Sequence, residues 1–475
     1  MGRQLAMNSV RGVPALVRSH WFQDSSLPTV QAARLEGRIS ADIAIIGGGY
    51  VGLWTALSIK AQQPTIKVVI LEQDVCGGGA SGRNGGFAMS WWPKISTLIK
   101  LCGTDGARRL ALASEQAVHQ LGRFCEEHGI DAHFTQGGWL WTATNEAQRD
   151  AWAGTIEACK RLGHTPFVEL PAAVVARRTG SPFHHSGVYE ASNATVQPAR
   201  LVAGLRKVAI AQGIVIHENT CVQKLSTQSP AVLTTEAGEV TAKAVVIANN
   251  VWAASIPELR RMITPVNSSI VVTEPIPERL REIGWTGGEC ITDSQLLVGF
   301  YSTTRDGRIA YGKGTGAIEF GAKISEIFSH DAPALRLAES DFRRAYPQLV
   351  DVPLATGWTG PVDRTYDSMP VFGRLQSADH IFYGIGWSGN GVAPSQLGGK
   401  ILSALALGLR NEWSESGLVE RPACKFPPEP IRYVGGNAVR NAVIRKERAE
   451  AMGQRPRWID LRLAKFAPSG LEDKS

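Results

Sequence analysis

The sequence predicts a mixed α/β (α+β) fold: a Rossmann-like nucleotide-binding domain interleaved with a β-sheet substrate domain. Three observations predict it. A buried-strand run, a glycine turn and an apolar helix follow one another in "ADIAIIGGGYVGLWTALSIKAQQP", and the strand "IKVVILEQ" (66–73) completes the unit. Helix-then-strand patterning returns at 201–225, and strand–glycine–helix patterning at 380–409. Residues 263–320, between them, are β-rich. Parallel strands need helical crossovers, so the first two observations give an α/β sheet and the third a separate β layer.

Taken in order, residues 1–40 are polar and irregular and read as an N-terminal arm on the surface. A long amphipathic helix is expected over 104–130, and a strand at "GGWLWTA" (137–143). "AVLTTEAGEVTAKAVVIANNVWA" (231–253) reads as a hairpin turning at Ala237-Gly238, then a buried strand. "TTRDGRIAYG" places a second hairpin turn at Asp306-Gly307. Residues 324–349 are helical in pattern. The nucleotide-binding domain is expected from 41–135, 185–262 and 355–410, and the substrate domain from 136–184 and 263–354. A C-terminal extension, 411–475, follows.

Composition narrows the function classes. The chain has 475 residues, 44% of them hydrophobic and 20% charged, as in a globular protein with a large core. Its seven cysteines form no CxxC pair, which disfavours a disulfide framework or a zinc site and fits a reducing compartment. No secretory leader is visible, and "ILSALALGL" (401–409) is far short of the ~20 residues of a membrane span, so a cytoplasmic location is expected. Residues 431–465 hold nine basic residues and three acidic ones, most of the formal net charge of +7. The remainder is nearly neutral, which disfavours nucleic acid as a partner. The basic tail reads as a solvated helix packed on its own protein, with contact to an acidic surface left open.

Gly47-x-Gly49-x-x-Gly52 lies between strand and helix. Gly47 suits the tight turn, Gly49 the approach of a pyrophosphate, and Gly52 close helix–strand packing. The helix N-terminus offers free N–H groups to phosphate. Glu72, 20 residues after Gly52, ends the next strand where a carboxylate meets ribose hydroxyls, with Gln73 beside it. This motif alone does not choose between NAD and FAD. The loop "GGGASGRNGGF" (77–87) emerges at the same sheet edge. A bulky isoalloxazine ring needs such a bare backbone. Arg83 is then a cation for the pyrophosphate or the flavin edge, with Ser81, Asn84, Gly85 and Gly86 around it. A second glycine loop, "GIGWSGNGVAPS" (384–395), opens another helix, and the amides of Gly389, Asn390, Gly391 and Val392 suit the flavin N1–C2=O locus.

The segments "IAIIGGGYVGLWTAL", "LEQ", "GASGRNGG", "TCVQKL", "VIANNVWA" and "GIGWSGNGVA" together resemble the D-amino acid oxidase superfamily of FAD-dependent oxidoreductases. The resemblance covers roughly residues 40–410. It implies a glutathione-reductase-type FAD fold with a β-sheet substrate domain, and an adenine held through the main chain of Val222. Amino-acid oxidases of this superfamily often carry an arginine for the substrate carboxylate in a segment aligned with "WTGPVDRTYDSMPVFGR" (358–374), where this chain has Val362. That segment is more similar to γ-glutamylputrescine oxidoreductases. "GGGASGRNGGF…SWWPK" and the basic tail look like a branch of aminophosphonate oxidoreductases. The cysteine-linked flavin of sarcosine oxidases is not expected, since no cysteine lies between 290 and 424.

The resemblance implies oxidation of an amine C–N bond by non-covalent FAD. The imine then hydrolyses, with O2 or a carrier as electron acceptor. Trp91, Trp358, Asp363 and Trp387, with Trp92, are candidate walls for the amine. Each Trp has core packing as its plainer role. Lys94 and Lys313 read as surface lysines that could instead activate oxygen or hold an anion. His184-His185 lacks a third ligand, and no metal is expected. Other readings are an amino-acid oxidase or dehydrogenase, an NAD-dependent dehydrogenase, a flavin hydroxylase, and a non-catalytic FAD-bearing subunit.

Overall fold

The computed structural model describes residues 4–7, 18–24, 26–27, 31–470 and 472–473. Its framework is two large sheets. In the nine-stranded sheet, Val215–His217, Val68–Leu71, Gly37–Ile46 and Gly238–Ile247 lie side by side and parallel. Ala378–Ile385 runs parallel along the far half of Gly238–Ile247. The strand residues Ile43 to Ile46 and Val68 to Leu71 are buried because helices cover the faces. The first helix, Tyr50–Gln62, buries Leu53, Trp54, Ala56, Leu57 and Ile59 and is apolar nearly all round. The carboxyl ends of these strands form one edge of the sheet, where ligands of open α/β sheets bind.

The eight-stranded sheet is antiparallel except where Cys290–Asp293 pairs with Trp139–Ala143. Thr264–Thr273 lies between Leu354–Arg364 and Ile309–Gly314, in register over Gly360, Ser268 and Gly314. The hairpin expected at Asp306-Gly307 forms, with Thr303 opposite Ile309. The Ala237-Gly238 hairpin forms too, with Thr234 opposite Glu239. Helix Ala332–Ala345 packs Ala338 and Phe342 against Tyr301 and Tyr311 on one face of this sheet.

Several elements differ from expectation. Ser186–Glu190 and Leu354–Arg364 are strands of the eight-stranded sheet, although their positions fall in or across segments expected for the nucleotide-binding domain. Leu354–Arg364 pairs with Thr264–Thr273, far away in sequence, and Ser186–Glu190 pairs on one side with Trp139–Ala143, so local patterning does not assign them. The helix expected over 324–349 begins only at Ala332, where the Asp331 side chain accepts from Ala334 N. The helix expected over 104–130 is the second part of Ile95–Glu127, which breaks at Cys102 and Gly103.

The N-terminal arm is more than a surface strap. Residues 1–3, 8–17, 25 and 28–30 of it lie outside the described residues. Gln4–Ala6 adds a strand beside Lys224–Ser226. Trp21 is buried, and its Nε1 donates to Asn84 O at 2.8 Å, while Ser19 Oγ donates to Gly82 O at 2.5 Å. The arm thus braces the glycine loop around Arg83. Among the described residues, no helix is long and apolar enough to cross a membrane.

Candidate functional site

One cavity of about 850 Å³ runs along the carboxyl edge of the parallel strands and continues under the eight-stranded sheet. Gly47 opens it. Its φ is +112°, and a Cβ there would lie 2.6 Å from Ala248 O. A Cβ on Gly52 would lie 1.9 Å from Gly47 O, so the turn and the helix can meet only over glycine. Gly52 therefore shapes the turn without lining the cavity. Ser81 Oγ accepts from Tyr50 N at 3.0 Å, capping that helix where its free N–H groups face the cavity.

Glu72 is buried at the strand end, and its carboxylate accepts from Gly48 N at 2.7 Å and Asp74 N at 2.9 Å. Burial pushes its pKa up to about 7. Glu72, Gln73 and Val222 line this end of the cavity.

Arg83 lies where the two sheets meet. Its Nε donates to Gly78 O at 3.0 Å and its Nη1 to Thr359 O at 3.3 Å. A Cβ on Gly360 would lie 3.2 Å from Arg83 Cβ. Burial lowers the guanidinium pKa to about 10. Asn84 folds its own loop, donating to Ser81 O at 2.8 Å and accepting from Gly86 N at 2.8 Å. Gly85 lines the cavity, whereas Gly86 packs against Val196 behind it.

Gly389, Asn390, Gly391 and Val392 line the cavity from the other side. Asn390 Nδ2 donates to Ser90 O at 3.3 Å and ties this loop to the segment that follows the Arg83 loop. Asp363 is buried at the end of the Leu354–Arg364 strand and accepts from Gly386 N and Trp387 N. Burial pushes its pKa up to about 7 against these two donors.

Of the four wall candidates, Asp363 and Trp387 line the cavity. Trp91 and Trp358 do not. Trp358 is 1% exposed and donates from Nε1 to Arg83 O at 2.9 Å, while Trp91 is buried in the core beside Ser114. Trp92 is also core, donating to Glu115 and stacked on His164. Their strand and turn directions, set by distant partners, point them away. The two lysines are not surface residues either: Lys94 pairs with Asp473 at 3.5 Å, and Lys313 with Asp341 at 2.9 Å, all largely buried. His184 is buried between Thr142 and Tyr301, and burial lowers its pKa to about 3. Among the described residues no cluster of His, Cys, Asp or Glu is arranged to hold a metal.

The sequence reading missed Asn249, Asn250 and Trp252 as cavity residues. The available signal was position: they follow the carboxyl end of the buried strand Gly238–Ile247. It also missed the C-terminal extension, whose helix Ile431–Ala451 lines the cavity with Val439, Arg440 and Val443.

Residues 42–405 match the family described as DAO, FAD dependent oxidoreductase. The chain belongs to this family. It is 30% identical over 377 residues to the γ-glutamylputrescine oxidoreductase of Escherichia coli (strain K12), covering 79% of this chain and 85% of that protein. It is 30% identical over 423 residues to the probable oxidoreductase OrdL of Rhizobium meliloti (strain 1021), covering 86% and 91%. The glycine oxidase structure from Geobacillus kaustophilus superposes with a TM-score of 0.65 at 20% identity, covering 78% of this chain and 96% of that one. At that identity the likeness concerns the fold.

The family implies FAD, and the cavity fits it. Arg83 Nη2, Asn249 Oδ1, Asn250 Oδ1, Trp252 Nε1 and Asn390 Oδ1 are buried, line the cavity and lack a protein partner among the described residues. Each such group costs about 1–3 kcal/mol unless something polar meets it. They come from three separate segments, the two glycine loops and the turn after Gly238–Ile247, as an extended polar cofactor requires.

Proposed function

We propose that this DAO-family oxidoreductase oxidises the C–N bond of a primary or secondary amine, and that its FAD is held non-covalently. The observation that carries this reading is Val362. It lines the cavity beside the Gly389 loop, about where amino-acid oxidases of the superfamily often carry a carboxylate-binding arginine. The similarity to γ-glutamylputrescine oxidoreductase, whose name denotes an amine substrate, supports it. Among the described residues, the only Cys or His side chains lining the cavity are Cys221, beside Val222, and Cys424 in the C-terminal extension. Neither belongs to a glycine loop, which favours a non-covalent flavin.

FAD, when bound, supplies the hydride acceptor. The chain's own groups bind, orient and keep out water. Asp363 fixes the turn that carries Trp387, and Phe87, Met89 and Phe300 offer apolar walls. An apolar wall favours the neutral amine, the form from which hydride leaves. The product imine is released to hydrolysis, giving a carbonyl compound.

The test is the visible spectrum of the purified protein, followed by anaerobic titration with γ-glutamylputrescine, 2-aminoethylphosphonate and simple amines. Bleaching of a yellow protein by one of them is the expected result. A flavin that none of them reduces overturns the reading. Similarity to glycine oxidase, 26% identical in Geobacillus kaustophilus (strain HTA426), makes amino acids the second substrate class to titrate.

A further inference from the structure

The outer part of the cavity lies between the eight-stranded sheet and the C-terminal helix Ile431–Ala451. This helix falls outside the family-matched residues 42–405. Gly435, Val439, Arg440 and Val443 recur at helical spacing and form its cavity face. The helix is fixed to the sheet domain at both ends. Arg432 Nη1 donates to Thr264 Oγ1 at 2.8 Å, and Glu447 Oε1 accepts from Leu297 N at 3.1 Å.

Three other basic side chains of this helix are already paired: Arg432 with Glu429, Arg445 with Asp460, and Lys446 with Glu450. Arg440 differs. Its Nε donates to Thr315 O at 2.7 Å, and its two terminal nitrogens make no hydrogen bond or ion pair among the described residues. Asp331 is the acid that acts on it, but that carboxylate already accepts from Asn267 Nδ2 at 2.8 Å and Ala334 N at 3.2 Å. The cavity's charged lining is Arg83, Arg364, Lys425, Arg432 and Arg440 against Glu72 and Asp363. Glu72 sits at the far end, and Asp363 is engaged by two backbone amides. With Arg432 paired to Glu429 and Arg83 on the cofactor loop, Arg364, Lys425 and Arg440 remain against Asp363, an excess of positive charge. A simple ammonium ion is repelled by such a lining, whereas an amine with an anionic group is drawn to it.

We propose that Arg440 binds an anionic group of the substrate, a carboxylate or phosphonate carried away from the reacting carbon, so that the C-terminal extension completes the substrate site. The proposal rests on the amine-oxidation reading for the role of the bound molecule. A guanidinium anchored through Nε presents its two terminal nitrogens as a fork, the geometry that a carboxylate or phosphonate accepts. Val362 brings no cation to its own position, so the anion is held instead from the C-terminal helix.

The test uses the FAD-loaded protein and the variants R440Q, R440K and, as a control, R448Q at an exposed position of the same helix. Butyrate and propylphosphonate, which carry no amine, are titrated against the flavin absorbance. 4-Aminobutyrate, 3-aminopropylphosphonate and butylamine are titrated for flavin reduction. R440Q should weaken anion binding by about tenfold or more, R440K should recover part of it, and R448Q should match the wild type. R440Q should also raise KM for the anionic amines relative to butylamine. The anion that loses more affinity in R440Q identifies the group recognised. Flavin content equal to the wild type's shows that R440Q has folded. Anion binding that is absent in the wild type, unchanged in R440Q, or weakened equally in R448Q overturns the proposal. If the anions bind through Arg440 while no amine reduces the flavin, the anion site stands and the oxidation reading falls.

Discussion

Asp363 accepts a hydrogen bond from Trp387 N at 3.0 Å, and the same carboxylate accepts from Gly386 N at 2.6 Å. The end of a strand in the eight-stranded sheet thereby holds the turn that enters the second glycine loop. Asp363→Asn replaces one acceptor oxygen by a donor facing an amide N–H. Loss of such a bond costs about 1–3 kcal/mol, so FAD dissociation should rise by roughly five- to a hundredfold. Flavin release on dilution measures it. Unchanged FAD affinity would show that the turn holds its shape without the carboxylate.

Trp358 is expected to matter for stability rather than for substrate choice. Its Nε1 satisfies Arg83 O, and its ring meets Trp21 edge-on at 5.6 Å. Trp358→Phe keeps most of the packing and leaves a buried carbonyl unpaired, which should cost about 1–3 kcal/mol. A lower thermal midpoint with an unchanged ranking of amines is the outcome to look for.

Gly52→Ala should abolish flavin binding or folding altogether. The new methyl would stand 1.9 Å from Gly47 O, well inside contact distance. Neither the turn nor the helix can yield without moving the N–H groups that face the cavity. Flavin content per folded protein is the readout, and a yellow Gly52→Ala protein would refute the expectation.

Docking of the C-terminal segment should weaken as pH rises. Glu472 is buried against Lys94, Asp473 and Asp293, with Arg364 also acting on it, and burial pushes its pKa up to about 8. Glu447, nearer Lys313, is pushed up to about 7. A carboxyl whose folded pKa is raised binds a proton in the docked state that the undocked state has released. The slope of stability with pH is then negative between the ordinary carboxylate range and about pH 8. Ser96 N and Thr97 N donate to Asp473, so hydrogen exchange at these amides, corrected for the intrinsic rate, reports docking. Glu472→Gln should flatten the dependence, and an equally steep profile in that variant would count against it.

The parts of the site legible in the sequence are those whose chemistry is local. Gly47, Gly49, Glu72, the Arg83 loop and the Gly389–Val392 loop each combine a glycine turn with an adjacent strand or helix, and all line one cavity. Residues whose position depends on a distant partner were not legible. Trp91 and Trp358 follow or oppose glycine loops, yet their direction is decided by Ser114 and by the register with Thr264–Thr273. Lys94 looks solvated until Asp473 is brought beside it. The basic extension reads as a charged face because composition does not reveal that several of its charges have partners.

The residues that line both glycine loops all precede Ile431 in the chain. During synthesis from the N-terminus they leave the ribosome before the helix that walls the outer cavity. The nascent protein thus has an interval in which every residue of both glycine loops is present and the helix that walls the outer cavity is not. In that interval the cofactor side of the cavity is not yet walled by the extension, so flavin need not pass the helix to reach its loops.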